Sequence, residues 1–287
     1  MRSTYRTLND YGMQHNAEVG LFTRPSNLIK SISSYKRYYC QVVPIRLFFS
    51  KERFSLFAIL LCAGYATRLY PLTRDFPKHL LPVAGKPVID YLVEQILDFK
   101  GISGIHIVTN TRFFDLFEEW KIKWSGKINI TIHNNGISSN DNRLGPSGDL
   151  QFVLKRIQRP SCVMVAAADN IFRFRLEPLW ECFRTSQNHY IVGLSESNKE
   201  VLRKTGVPLI GKNNRVLRLF EKPENPISPW AVPQLYFFQP TVWHLMDAFH
   251  AHGLRRGEKE HFLDFLCRIE ALYLFKIYGT RFDIGTV

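Results

Sequence analysis

From Phe57 onward the apolar positions fall into short blocks that alternate between two spacings. "FAILLCA" (57–63) is a continuous apolar run ending at Gly64, the pattern of a strand buried on both faces of a parallel sheet. "PVIDYLVEQILDFK" (87–100) spaces its apolar residues near 3.6 and opens on proline, which predicts a helix. The same reasoning makes "GIHIVTN" a strand, "RFFDLFEEWKIKW" a helix and "INITIHN" a strand. After the polar loop "NGISSNDNRLGPSG", "DLQFVLKRI" reads as a helix and "CVMVAAAD" as another core strand. The helix "LEPLWECFRTS" and the strand "YIVGLS" follow. Strands that alternate with helices predict a doubly wound, Rossmann-like α/β fold, with a mostly parallel mixed sheet and helices on both faces.

Residues 205–238 break the alternation. "GVPLIGKNNRVLRLFEKP" suggests a hairpin turning at "KNN", and "QLYFFQP" a short strand. The helices "TVWHLMDAFHAHG" and "EHFLDFLCRIEA" and the strand "LYLFKIYG" complete the pattern, leaving "TRFDIGTV" unassigned. Residues 1–55 show weak periodicity and are rich in Ser, Tyr, Arg and Asn. They are expected to be a basic, poorly ordered N-terminal extension to a domain of residues 56–287, with a targeting peptide as the other reading.

Composition changes this picture little. The chain has 287 residues, 45% hydrophobic and 22% charged, as a globular protein does. No apolar run approaches the roughly 20 residues that span a membrane. The net charge is +13, but residues 1–56 hold nine Lys or Arg against three Asp or Glu, which is +6 of it. Nucleic acid is therefore not the favoured partner, and a pocket for small polyanions explains the remainder as well. The five cysteines are far apart and form no C-x-x-C pair, which argues against a disulfide framework and for a cytoplasmic location. Cys62 and Cys162 lie in apolar runs and read as small core residues. The nine histidines show no zinc-binding spacing.

Candidate chemistry starts at the end of the first strand. Ligands of open α/β sheets bind beyond the carboxyl ends of the strands. There Gly64 is followed by Thr67, Arg68, Thr73, Arg74 and Lys78: a glycine that lets backbone approach a phosphate, then cations to hold it. The loop is neither a Walker A sequence nor a G-x-G-x-x-G fingerprint. Asp169 ends an apolar strand, where a lone carboxylate is costly without a partner. A Mg²⁺ ion would supply one, and a helix cap is the alternative.

The stretch "LCAGYATRLYPLT…PKHLLPVAGKPVIDY" resembles the signature of the sugar nucleotidyltransferases, or NDP-sugar pyrophosphorylases. "VAAADNIF", "RLFEKPENP" and "RFDIGT" fall in that family's order further along. The resemblance implies an enzyme that joins an NTP and a sugar 1-phosphate to give an NDP-sugar and pyrophosphate, with Mg²⁺ as cofactor. By the same resemblance Cys62, Ala63, Gly64 and Thr67 line the nucleotide, and Gly145 and Gly148 its base. Arg68 would stabilise the leaving pyrophosphate, and Lys78 would lie near the reacting phosphates. Glu221 would bind sugar hydroxyls, Lys222 the sugar phosphate, and Asp169 and Asp283 the metal. Relatives often form oligomers, so a homo-oligomer is an open expectation.

Three departures concern the family's small residues: Ala66 and Ala168 stand where glycine is usual, and Gln234 where many relatives have glycine beside the sugar. Asp149 replaces an alanine. The chain stops one residue after "RFDIGT", where relatives usually continue with a helix, which raises truncation of the domain at that end. A phosphocholine-type cytidylyltransferase, a non-catalytic nucleotide-sugar sensor and a nucleic-acid binder are the competing readings. Arg68, Lys78 and Asp169, the residues a sensor is expected to lose, are all present.

Overall fold

The structure is a computed structural model that describes residues 56–157, 161–251 and 262–285. The expectation for residues 1–55 lies outside the described residues. The first half runs β1 (Leu56–Leu61), the small hairpin β2 (Pro82–Val83) and β3 (Lys86–Pro87), α1 (Val88–Leu97), β4 (Ile102–Thr109), α2 (Phe114–Lys121) and β5 (Ile130–Asn134). Next come α3 (Gly145–Leu154), β6 (Cys162–Ala167), β7 (Asn170–Phe172), α4 (Glu177–Arg184), β8 (His189–Ser195) and α5 (Lys199–Leu202). The hairpin β9 (Gly206–Ile210) and β10 (Val216–Glu221) leads to β11 (Trp230–Ala231) and β12 (Leu235–Phe238). Helices α6 (Val242–Ala251) and α7 (Phe262–Ile269) precede β13 (Leu272–Ile277) and β14 (Arg281–Asp283).

An eight-stranded sheet forms the centre, in the order β11-β8-β12-β6-β1-β4-β5, with β13 beside β8. The β1–β4, β1–β6, β4–β5 and β8–β13 pairs are parallel. Strand β12 runs antiparallel between β6 and β8, and β11 antiparallel to β8. The sheet is therefore mixed, as expected.

Alternation along β1 explains the two-faced core. Leu56, Ala58 and Leu60 face one side, packing with apolar residues of α1, α2 and α4. Ile59 faces the other, with those of α3, α6 and α7. Covering both faces is what turns the strands into unbroken apolar runs. No helix among the described residues is long and apolar enough to cross a membrane.

The register matters for function. Leu61 is level with Val108 of β4 and Ala167 of β6, so three neighbouring strands end together and their following loops meet.

Several local expectations need correction. The helix expected at Asp149 begins at Gly145: Gly145 itself takes a left-handed φ of 74° as the chain turns in, and proline occupies the first turn, where its missing N–H has no helical partner to lose. The hairpin expected at "KNN", by contrast, is present: β9 and β10 pair antiparallel, and the turn between them is a 3₁₀ turn in which Asn213 and Asn214 carry φ of 55° and 61°, a conformation asparagine tolerates better than most residues. The tail "TRFDIGTV", left unassigned, contains β14, which pairs antiparallel with the three-residue β7.

Candidate active site

The loop after β1 is pinned from beneath. Asn110 donates from Nδ2 to the Ala63 carbonyl (3.1 Å) and accepts from the Phe113 N–H (3.2 Å). The Tyr65 hydroxyl donates to the Ile137 carbonyl (3.1 Å). Beyond Tyr65 the backbone turns through Ala66, at φ 48° and ψ 42°, into a 3₁₀ turn over Thr67–Leu69. The Ala66 carbonyl accepts from the Leu69 N–H (2.9 Å) and from the buried Thr73 hydroxyl (2.8 Å). The family's second glycine is thus absent while the left-handed geometry it would favour persists.

What the loop presents outward is open. Gly64 is exposed, with no atom within 4 Å of where a Cβ would stand. Thr67 and Arg68 are exposed, and the Arg68 guanidinium makes no hydrogen bond or ion pair within the described residues. Arg74 lies 6.0 Å from the Tyr70 ring centre, consistent with a surface charge. Cys62, by contrast, is fully buried and gives its N–H to the Val108 carbonyl (2.8 Å). Burial above all, then the Asp169 charge, pushes its thiol well above the ordinary range. Its side chain packs beneath the loop in the core of the sheet, so what Cys62 can offer a nucleotide there is backbone.

Three of the expected residues converge. Lys78, on a short 3₁₀ turn, donates from Nζ to Asp169 Oδ2. Strand β14 brings Asp283 opposite Asn170, and the Ile284 N–H bonds the Asp169 carbonyl (3.0 Å). A Cβ on Gly285 would stand 2.9 Å from Asp283 Oδ1, 3.6 Å from Lys78 Nζ and 3.9 Å from Asp169 Oδ2. The two carboxylate oxygens are therefore less than about 7 Å apart, the sum of their distances from that point. Burial alone would raise the Asp169 carboxyl, but Lys78, His79 and hydrogen bonds outweigh it and hold the group below its ordinary value. It is a carboxylate at neutral pH.

The remaining residues stand on separate elements. Gly145 and Gly148 lie at the start of α3, where a Cβ on Gly148 would come within 2.9 Å of Leu144 Cβ. Asp149, one residue on, is buried and accepts from Asn135 Nδ2 (2.8 Å). Glu221 ends β10 and Lys222 follows it, with Nζ 4.0 Å from Glu221 Oε1. Lys222 has φ 49° and Gln234 φ 50°, so Gln234 also keeps a glycine-like backbone. Glu221 Oε2 would lie 3.4 Å from a Cβ on Gly206. Burial first and Glu221 second push up the Tyr236 phenol, so this carboxylate faces β12 as well as solvent.

Sequence reasoning missed Asn110, Asn170 and Arg281. Polar residues directly after apolar strands were the available signal. Asn110 follows "HIVT" and Asn170 follows "VAAAD".

The sequence profile of the family described as nucleotidyl transferase matches residues 57–281. A UTP–glucose-1-phosphate uridylyltransferase of Haloferax volcanii is 25% identical over 232 residues, covering 79% of this chain and 90% of that protein. A glucose-1-phosphate thymidylyltransferase of Xanthomonas campestris is 30% identical over 189 residues, 63% of this chain and 59% of the other. Among solved structures, a UDP-glucose pyrophosphorylase complexed with UDP-glucose superimposes with a TM-score of 0.67 at 19% identity, covering 81% of this chain and 94% of that one; at that identity the likeness speaks for the fold. With the strand-end loop, its cations and the paired carboxylates in place, and the profile matched over most of its length, the chain belongs to the nucleotidyl transferase family.

Proposed function

We propose that the protein joins an NTP and a sugar 1-phosphate, releasing pyrophosphate and forming an NDP-sugar. A phosphate oxygen of the sugar 1-phosphate attacks the α-phosphorus of the NTP, and the bond to the β-phosphate oxygen breaks with its electron pair leaving on pyrophosphate. The observation that carries this reading is the meeting of Lys78, Asp169 and Asp283 beside the open loop of Gly64 and Arg68. The names of the Haloferax and Xanthomonas relatives support it.

Such transfer is mostly positioning and charge stabilisation. Gly64, Ala63 and Thr67 give the triphosphate a backbone surface without side-chain obstruction. The exposed Arg68 fork suits two phosphate oxygens at once and faces charge that grows on the leaving pyrophosphate. Lys78, now paired with Asp169, is within reach of an incoming phosphate and can exchange one anionic partner for the other. Lys222 would hold the sugar phosphate and Glu221 the hydroxyls, with Gly145 and Gly148 beside the base.

Asp169 and Asp283 would hold Mg²⁺. The donor set fits, because this ion takes one or two carboxylates and completes its shell with water and substrate phosphates. The ion would supply charge neutralisation between the phosphates. Residues 56–287 would form the catalytic domain, and the wide spacing of the five cysteines, with no C-x-x-C pair, favours a cytoplasmic location for the reaction.

The test is a screen of NTPs against sugar 1-phosphates by pyrophosphate release, repeated on two variants. Arg68→Ala should lower kcat by about 10² to 10³ with little change in KM, since its contact strengthens in the transition state. Lys222→Ala should mainly raise KM for the sugar phosphate, whose charge is present from the start. No turnover with any pair, or a normal kcat in Arg68→Ala, rejects the assignment.

A further inference from the structure

We propose that Arg281 is a positioning residue which, through Asn170, fixes the back edges of Asp169 and Asp283 so that their front oxygens face one common point. The inference rests on the reading of those two carboxylates as the cation-binding pair.

Arg281 opens β14, directly opposite Phe172 of β7, and its side chain is only 13% exposed. Its Nη1 donates to Asn170 Oδ1 and to Asp283 Oδ2 (3.3 Å). Asn170 is 3% exposed and donates from Nδ2 to Asp169 Oδ1 (2.8 Å) and to the Ala167 carbonyl (3.4 Å). The amide has one orientation available, because a guanidinium can only donate and a carboxylate only accept. One guanidinium therefore reaches both carboxylates, one directly and one through the amide.

The opposite edges are left for other partners. Asp169 Oδ2 meets Lys78, and Asp283 Oδ1 accepts the Gly285 N–H (2.7 Å). These two oxygens and Lys78 Nζ lie within 4 Å of the point where a Cβ on Gly285 would stand. Glycine keeps that point empty, while Arg281 and Asn170 keep the carboxylates turned toward it. Burying a guanidinium has a desolvation cost, and here its bonds go to the two groups whose orientation the reaction depends on.

Two effects of Arg281 have opposite signs, which makes the idea testable. Its positive charge alone repels a nearby dication, so a purely electrostatic role predicts tighter cation binding when it is removed. A positioning role predicts weaker binding despite the lost repulsion. Partners that orient ligating groups typically matter by 10- to 100-fold in metal affinity.

The experiment uses Mn²⁺ as the probe, titrated into the full chain and followed by electron paramagnetic resonance, with thermal melts alongside. Arg281→Met and Asn170→Ala should each weaken Mn²⁺ binding about tenfold or more, and lower kcat while leaving KM for the NTP within a few-fold. Arg281→Lys keeps the charge but not the planar fork and should recover only part of the binding. Wild-type or tighter Mn²⁺ binding in Arg281→Met, with Asp283→Asn losing it, overturns the role of Arg281 and spares the carboxylate reading. Wild-type binding in Asp283→Asn, or no binding in the wild type, overturns the carboxylate reading and this inference with it. Should Arg281→Met fail to fold, undiminished binding in both Asn170→Ala and Arg281→Lys overturns the role of Arg281.

Discussion

Ala66→Gly isolates the strain that the loop after β1 carries. Ala66 sits at φ 48° and ψ 42°, and its carbonyl is held by the Leu69 N–H and the Thr73 hydroxyl. Those two bonds leave the residue little freedom to relax into a right-handed conformation. An L-residue in this region costs about 1–2 kcal/mol, which glycine avoids. Glycine also adds freedom to the unfolded chain, worth about 0.4–1 kcal/mol in the other direction. The difference favours the variant, by about 0.5–1 kcal/mol. For a domain of this size that is a rise of about 1–4 °C in melting temperature. Urea unfolding should show a higher midpoint with an unchanged slope, since the same surface is exposed. Ala66→Val provides the opposite sign, because a β-branched residue fits positive φ poorly. A loss of stability in Ala66→Gly of more than about 0.5 kcal/mol would refute the reasoning, as it would mean unfolded-state entropy outweighs the strain.

Gly285→Ala should abolish Mn²⁺ binding and most activity with little change in melting temperature, because its methyl would enter the point 2.9 Å from Asp283 Oδ1; retained activity would show that the cation is held elsewhere. His189 is buried, accepting from the Gln239 N–H (3.3 Å) at Nδ1 and facing the Thr241 hydroxyl (3.1 Å) at Nε2. Burial lowers its pKa from 6.5 to about 4, so between those values the unfolded chain binds a proton that the folded chain does not. Its contribution to stability is intact above pH 6.5 and is lost as pH falls toward 4, amounting to about 3 kcal/mol at most. His189→Asn should flatten the stability–pH curve in that window by close to one proton, and an unchanged slope between pH 6.5 and 4.5 counts against a neutral His189.

The parts of the fold that could be read in advance were those where one local pattern decides. "FAILLCA" and "CVMVAAAD" are apolar throughout because helices cover both faces of the sheet, and nothing but a central strand uses such a run. The elements that were missed are short and owe their form to distant partners. Strand β7 has three residues and β14 three, too few for any periodicity to show. Each exists because the other lies beside it, more than a hundred residues away in sequence. The start of α3 was misplaced for a related reason: a glycine and a proline read as loop signals, yet proline in the first turn is also a helix opening.

The site divides along the same line. Gly64, Arg68 and Lys78 could be proposed from the sequence because a single loop there offers backbone access and then cations in order. Asp169 could be singled out because a carboxylate at the end of a core strand needs a partner; the expected partners were Mg²⁺ or a helix end, and the one the structure shows is Lys78. Asp283 could be singled out only by resemblance, since an aspartate before "IG" is common in turns, and Arg281 carried no local signal at all. Their importance comes from the β7–β14 ladder, which sets Asp283 against Asn170 and Arg281 against Phe172. The ladder does with backbone pairing what no local sequence could do: it brings a late carboxylate to within about 7 Å of an early one and places a guanidinium behind both. A charge-bearing site split between two distant segments is sensitive to register, because a one-residue slip in this ladder would turn Asp283 to the opposite face. The Ile284 N–H bond to the Asp169 carbonyl and the Arg173 N–H bond to the Thr280 carbonyl close the ladder at both ends and hold the register on which the proposed site depends.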